Sequence, residues 1–84
     1  MKWGLLIGNR ARRQLRRLSS GERDKIDEAF SEMCENPYEG DVKVLRGRNS
    51  LRRRVGDWRI LFDLDQVIRV IRVTAVERRG STTY

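Results

Sequence analysis

Arginine is the residue type through which this chain could do chemistry. Sixteen of its 19 basic residues are arginine, and it has no histidine. Arginine forks onto phosphate with paired donors and stacks on bases, where lysine offers only a point charge. The densest group is Arg52-Arg53-Arg54, followed across Gly56-Asp57 by Arg59, and a second group is Arg78-Arg79 ahead of Tyr84. Such a set could stabilise the charge that builds on a phosphate during transfer. The missing histidine removes Ser-His-Asp and Cys-His nucleophile pairs, His-based ribonuclease chemistry and H-E-x-x-H metal sites. The single cysteine permits no internal disulfide and no zinc finger or ribbon. Any catalysis would have to use Arg, Lys, Tyr, Asp or Glu.

The net charge of +7 over 84 residues is unevenly placed. Residues 1–21 carry six bases and no acid, 22–41 carry two bases and eight acids, and 42–84 carry eleven bases and four acids. A basic surface can serve solubility alone. The arginine bias points instead to a polyanionic partner: RNA, DNA or an acidic protein segment. No apolar run approaches the ~20 residues of a membrane span, and the start is too short for a signal peptide, so no membrane role is expected. One cysteine and no disulfide fit a cytoplasmic location.

The chain is long enough for one small domain, over 1–84. Trp3 to Ile7 reads as a strand, and Asn9 as the N-cap of a helix running through Leu18 with Ala11, Leu15 and Leu18 on one face. Ser19 followed by Glu22 fits a capping box that opens a second helix, ending near Glu35 before Asn36-Pro37. Its apolar stripe is Ile26, Ala29, Phe30, Met33 and Cys34. Three strands follow a weakly specified segment at Val42–Leu45: Leu51–Val55, Trp58–Asp63 and Val67–Val76. The expected fold is α+β, in the order β-α-α-β-β-β. An antiparallel helical hairpin packs on one face of a small, largely antiparallel, twisted sheet.

A two-residue loop at Gly56-Asp57 fixes the hairpin register. Val55 then opposes Trp58, and Arg54 opposes Arg59. Alternation places Leu51, Val55, Trp58, Ile60 and Phe62 under the helices and Arg52, Arg54 and Arg59 on the other face. Like charges directly opposite one another cost up to about 1 kcal/mol, which a bridging anion would reverse. The alternatives are a solvated, splayed pair, or one arginine tied to Asp63. If the last strand pairs with Trp58–Asp63, its end comes to the Gly56-Asp57 end of the hairpin. Arg78 or Arg79, and Tyr84, could then reach the same patch.

The segment Arg52-Arg53-Arg54-Val55-Gly56-Asp57-Trp58-Arg59-Ile60-Leu61-Phe62, preceded by Leu45-Arg46-Gly47, resembles the signature of the RelE/ParE toxin superfamily. The likeness extends to the basic-then-acidic helical hairpin, the Asn-Pro stop, and a basic pair ahead of a near-terminal tyrosine. It implies the toxin of a toxin–antitoxin pair, with a cognate acidic antitoxin as partner and no cofactor or metal. The RelE branch implies a ribosome-dependent endoribonuclease that cleaves mRNA in the ribosomal A site. The ParE branch implies a DNA gyrase poison without nuclease chemistry. In the nuclease branch the resemblance gives catalytic roles to Arg59, Arg78 and Tyr84, and phosphate contacts to Arg52, Arg54, Arg46 and Arg79. Arg79 fits the second arginine as well as Arg78 does. Related sites usually carry lysine on the first basic strand, where this chain has arginine or Ser50. A nucleic-acid-binding module without turnover is the simplest alternative, and Asp63-x-Asp65 as a metal site is the least favoured, because two acids at a strand end are usually turn residues.

Overall fold

The computed structural model describes residues 2–47 and 49–78. Among these residues five strands and two helices occur in the order β1 (Gly4–Ile7), α1 (Asn9–Leu15), α2 (Ser20–Glu35), β2 (Val42–Arg46), β3 (Ser50–Val55), β4 (Trp58–Asp65) and β5 (Val70–Arg78). They form one sheet in the order β1-β5-β4-β3-β2. Only β1 runs parallel to its neighbour; the other three pairings are antiparallel. The expected α+β architecture is therefore the one observed. β5 returns to pair in parallel with β1, and the chain between them, the helical hairpin followed by β2, β3 and β4, supplies the long connection that parallel pairing requires.

The helices cover one face. Ala11, Leu15, Ile26, Ala29, Phe30 and Met33 pack on Leu51, Ile60, Phe62, Leu64, Ile71, Val73 and Val76, all buried. Val55 and Trp58 are half-buried at the margin of this core. The capping box forms as the spacing predicts: the Glu22 amide donates to Ser19 Oγ at 3.2 Å, and the Ser19 amide donates to Glu22 Oε1 at 2.9 Å.

Three boundaries depart from expectation. Gly8, not Asn9, is the N-cap of α1, with no side-chain cap. The helix ends at Leu15, and Arg17 and Leu18 follow in tighter i→i−3 bonds to Gln14 and Leu15. The chain must turn there to seat Leu18 against the core and present Ser19 as the next cap. The third departure concerns Val67–Arg69, which belong to a turn and not to the last strand. Asp65 Oδ1 accepts the amides of Val67 (3.1 Å) and Ile68 (3.3 Å), and Arg69 takes a left-handed φ of 55°. The β-branched character of Val67 and Ile68 loses to this carboxylate-capped turn, and both side chains are exposed.

Beyond the end of β1, α1 takes over the free edge of β5. The Gly8 amide donates to the Val73 carbonyl (2.9 Å), and Gln14 Oε1 accepts the Val76 amide (2.7 Å). That placement brings the basic first helix beside the end of β5 and within reach of the sheet's uncovered face.

Candidate phosphate-binding face

The β3–β4 hairpin has the predicted register. Val55 opposes Trp58, Arg54 opposes Arg59 and Arg52 opposes Leu61. Gly56 supplies the positive φ, 57°, that the two-residue turn requires. Arg52, Arg54 and Arg59 thus share the face that the helices leave open. Directly opposed strand residues sit within about 5.5 Å at Cα, so the Arg54 and Arg59 stems are immediate neighbours.

Arg53 points the other way, onto the helix side. It is 8% exposed and forms an ion pair with Glu32 of α2, while its Nη1 donates to the Glu39 carbonyl at 3.3 Å. It therefore holds α2 and the following loop against β3, and is no part of the open face. Arg52 is mostly covered, with Nη1 3.5 Å from Asp41 Oδ1. Arg54 is exposed and makes no ion pair among the described residues.

Arg59 has a counter-ion that the sequence reading missed. Glu77 of β5 lies opposite Arg59 in the β4–β5 register. Its Oε1 is 3.3 Å from Arg59 Nη2, and its Oε2 is 2.8 Å from Arg10 Nη2 on α1. Asp63, considered above as the partner, instead accepts a hydrogen bond from Ser50 Oγ at 2.8 Å. The reason lies in a β-bulge. The pairing shifts by one residue between Leu61 and Phe62, with Thr74 as the extra residue of β5. Without that shift Val76 would face Arg59, and Glu77 would point to the core side. One sequence signal was available: the large apolar residues Ile71, Val73 and Val76 fall out of strict alternation between Val73 and Val76, and in the structure all three are buried.

Of the other sequence-predicted residues, Arg78 is the cross-strand partner of Trp58 and lies over its ring, 5.6 Å from the centroid. That puts it on the helix side, the face opposite Arg59. It is close enough to α2 that its charge, with larger effects from Ser19, helps keep the Glu22 carboxyl below its ordinary range. Arg46 ends β2 at a register shift against β3. Arg79 and Tyr84 lie outside the described residues. Asp65 is engaged in the turn and with Arg72 at 3.4 Å, which is the turn role and not the metal role. Among the described residues no group of three or more His, Cys, Asp or Glu converges.

Along the strands from the arginine row the open face holds a shallow depression of about 280 Å³, lined by Leu45, Ser50, Leu61, Asp63 and Thr74 among others. The face therefore combines two opposed cations with an adjacent, partly apolar depression, an arrangement suited to a phosphate and its attached base.

Comparison with known proteins bears on the fold and the family. Residues 5–79 match the family described as the ParE toxin of type II toxin-antitoxin system, parDE. Among solved structures, RelE in the archaeal RelE-RelB complex from Pyrococcus horikoshii OT3 superposes with a TM-score of 0.89 at 22% identity, covering 98% of this chain and 100% of that one. The RelBE2 toxin-antitoxin complex from Mycobacterium tuberculosis gives 0.81 at 23%, covering 94% and 100%. The isolated RelE toxin of E. coli gives 0.82 at 18%, covering 95% and 87%. No curated protein matches. The match over residues 5–79 spans both helices and the whole arginine hairpin, and the chain belongs to the ParE toxin family of type II toxin–antitoxin systems, within the RelE/ParE superfamily.

Proposed function

We propose that this toxin is a ribosome-dependent, metal-independent endoribonuclease acting on mRNA in the ribosomal A site. The observation that carries the reading is the Arg54–Arg59 pair, two cations opposed on an open sheet face beside a partly apolar depression. The reaction is attack of a ribose 2′-hydroxyl on its own 3′-phosphate. The new O2′–P bond forms as the P–O5′ bond breaks, leaving a cyclic phosphate and a 5′-hydroxyl. The proton lost from the 2′-oxygen is balanced by one gained at the departing 5′-oxygen. Arg54 and Arg59, with Arg52 behind them, stabilise the negative charge of the phosphorane, commonly the largest catalytic contribution. Arginine hardly gives up its proton, so proton transfer falls to other groups, Tyr84 or the ribosome among them. The roles of Arg78, Arg79, Arg46 and Tyr84 rest on the superfamily resemblance.

The partner that restrains the toxin is an acidic antitoxin segment, which would fold onto the basic surface and mask the arginine face. Two of the superposed structures are complexes of toxin with antitoxin. The family match, being to a ParE toxin, favours a second reading, a poison of DNA gyrase. In vitro translation with mapped message ends separates the two. Cuts that need ribosomes support the nuclease. Intact messages together with gyrase-dependent DNA breaks support the poison.

A further inference from the structure

Glu77 and Arg10 extend the arginine face beyond the residues so far assigned to it. Across β3, β4, β5 and α1 the open face presents Arg54, Arg59, Glu77 and Arg10 in one row, perpendicular to the strands. Arg59 and Arg10 thus flank one carboxylate, and Arg54 lies beyond Arg59. Glu77 is largely covered at 20% side-chain exposure, while Arg59 and Arg10 stay open at 35% and 63%. Each guanidinium has five donors, and Glu77 engages only one nitrogen of each. Among the described residues the buried Arg59 Nε has no hydrogen-bond partner, so Glu77 satisfies Arg59 incompletely.

We propose that a single-stranded polyanion crosses the sheet along this row, contacting Arg54, Arg59 and Arg10. Arg10 is then a third phosphate-binding residue, supplied by the first helix. Glu77 is the internal counter-ion that aligns Arg59 with Arg10 in the free protein and holds down the affinity of the face. The inference rests on the reading of that face as a phosphate site. It does not require that the bound strand be cut.

The test is binding of a fluorescent oligouridine to the purified chain, followed by anisotropy over a range of salt. Glu77→Gln keeps the shape and removes the charge. It should bind about three- to tenfold tighter, with a log–log salt slope steeper by about 0.7, the value for one added contact on a single strand. Asp24→Asn on the exposed side of α2 makes the same charge change elsewhere and should shift affinity less than about twofold. Arg10→Gln should weaken binding about threefold, and more in the Glu77→Gln background, where no carboxylate competes for it. The gain from Glu77→Gln should vanish when Arg59→Ala is added.

The inference is overturned if Glu77→Gln binds no tighter than Asp24→Asn, or if Arg10→Gln binds like the unaltered chain in both backgrounds. Weaker binding by Arg54→Ala and Arg59→Ala alongside either result would leave the phosphate face standing and sink only the extension. Unchanged binding by Arg54→Ala and Arg59→Ala would overturn the phosphate face itself, and the extension with it.

Discussion

Arg54 and Arg59 stand directly opposite one another across the β3–β4 hairpin, and among the described residues only Arg59 of the two has an internal counter-ion, Glu77. The fold therefore tolerates a like-charge pair in which one member is left to solvent. Cross-strand repulsion of this kind costs a few tenths to about 1 kcal/mol. Arg54→Ala is thus expected to stabilise the protein by up to about that amount while lowering message cleavage about 100- to 1,000-fold. Arg59→Ala should lower cleavage by a similar factor without the gain in stability, because it also leaves Glu77 with Arg10 alone. Urea unfolding beside a cleavage assay checks both. A variant at Arg54 that is both less stable and fully active would contradict the functional meaning of the pair.

The ion pair of Arg53 with Glu32 should behave asymmetrically. Glu32→Ala strands a buried guanidinium and should cost about 2–3 kcal/mol, less than for a fully buried pair because Glu32 is itself half exposed. Arg53→Met removes the charge, keeps an apolar stem and should cost less than about 1 kcal/mol. Equal losses in urea midpoint would show that the contact acts by packing alone.

The capping box ties helix stability to pH. The Ser19 amide and then the Ser19 hydroxyl hold the Glu22 carboxyl below its ordinary value of 4.5. The folded value lies below the unfolded one, so the contribution is complete above about 4.5 and is lost as pH falls through the depressed folded value. Ser19→Ala should cost about 1 kcal/mol at neutral pH, and its deficit should shrink on acidification. A deficit independent of pH would show that the Ser19 hydroxyl does not help hold the Glu22 carboxyl ionised and that the amide does so alone.

Cys34 is buried at the foot of α2. Burial first, and then the neighbouring Glu35 charge, raise its thiol above the ordinary value. It should react with iodoacetamide at neutral pH at least about 100-fold more slowly in the folded protein than in urea, through opening of the fold. Its labelling rate then reports unfolding without an added probe. Rapid labelling under native conditions would mean that the C-terminal half of α2 detaches locally.

The sequence made the hairpin register and the capping box legible because each rests on a short local rule: a two-residue turn, and a hydroxyl three residues before a carboxylate. The core stripe of α2 was legible for a similar reason, since helical periodicity survives over its length. The pairing of β4 with β5 was not, because a single extra residue at Thr74 exchanges the faces of everything after it. That shift turned Glu77 toward Arg59 and Arg78 toward Trp58. The Val67–Arg69 turn was hidden for a related reason: β propensity is weak against a carboxylate that caps two amides at once. Arg53 was read within a basic run, yet alternation sent it inward to Glu32.

The central claim is that opposed arginines on the open face perform phosphoryl transfer on ribosome-bound message. Single-turnover cleavage of mRNA on programmed ribosomes tests it most directly, comparing the unaltered chain with Arg54→Ala, Arg59→Ala and the double variant. The account predicts 2′,3′-cyclic phosphate ends from the unaltered chain and a loss of about 100-fold or more for each single variant. The double variant should lose less than the product of the two, since both arginines act on one developing charge. Unimpaired cleavage by Arg59→Ala, or no cleavage at all by the unaltered chain with ribosomes present, would contradict it.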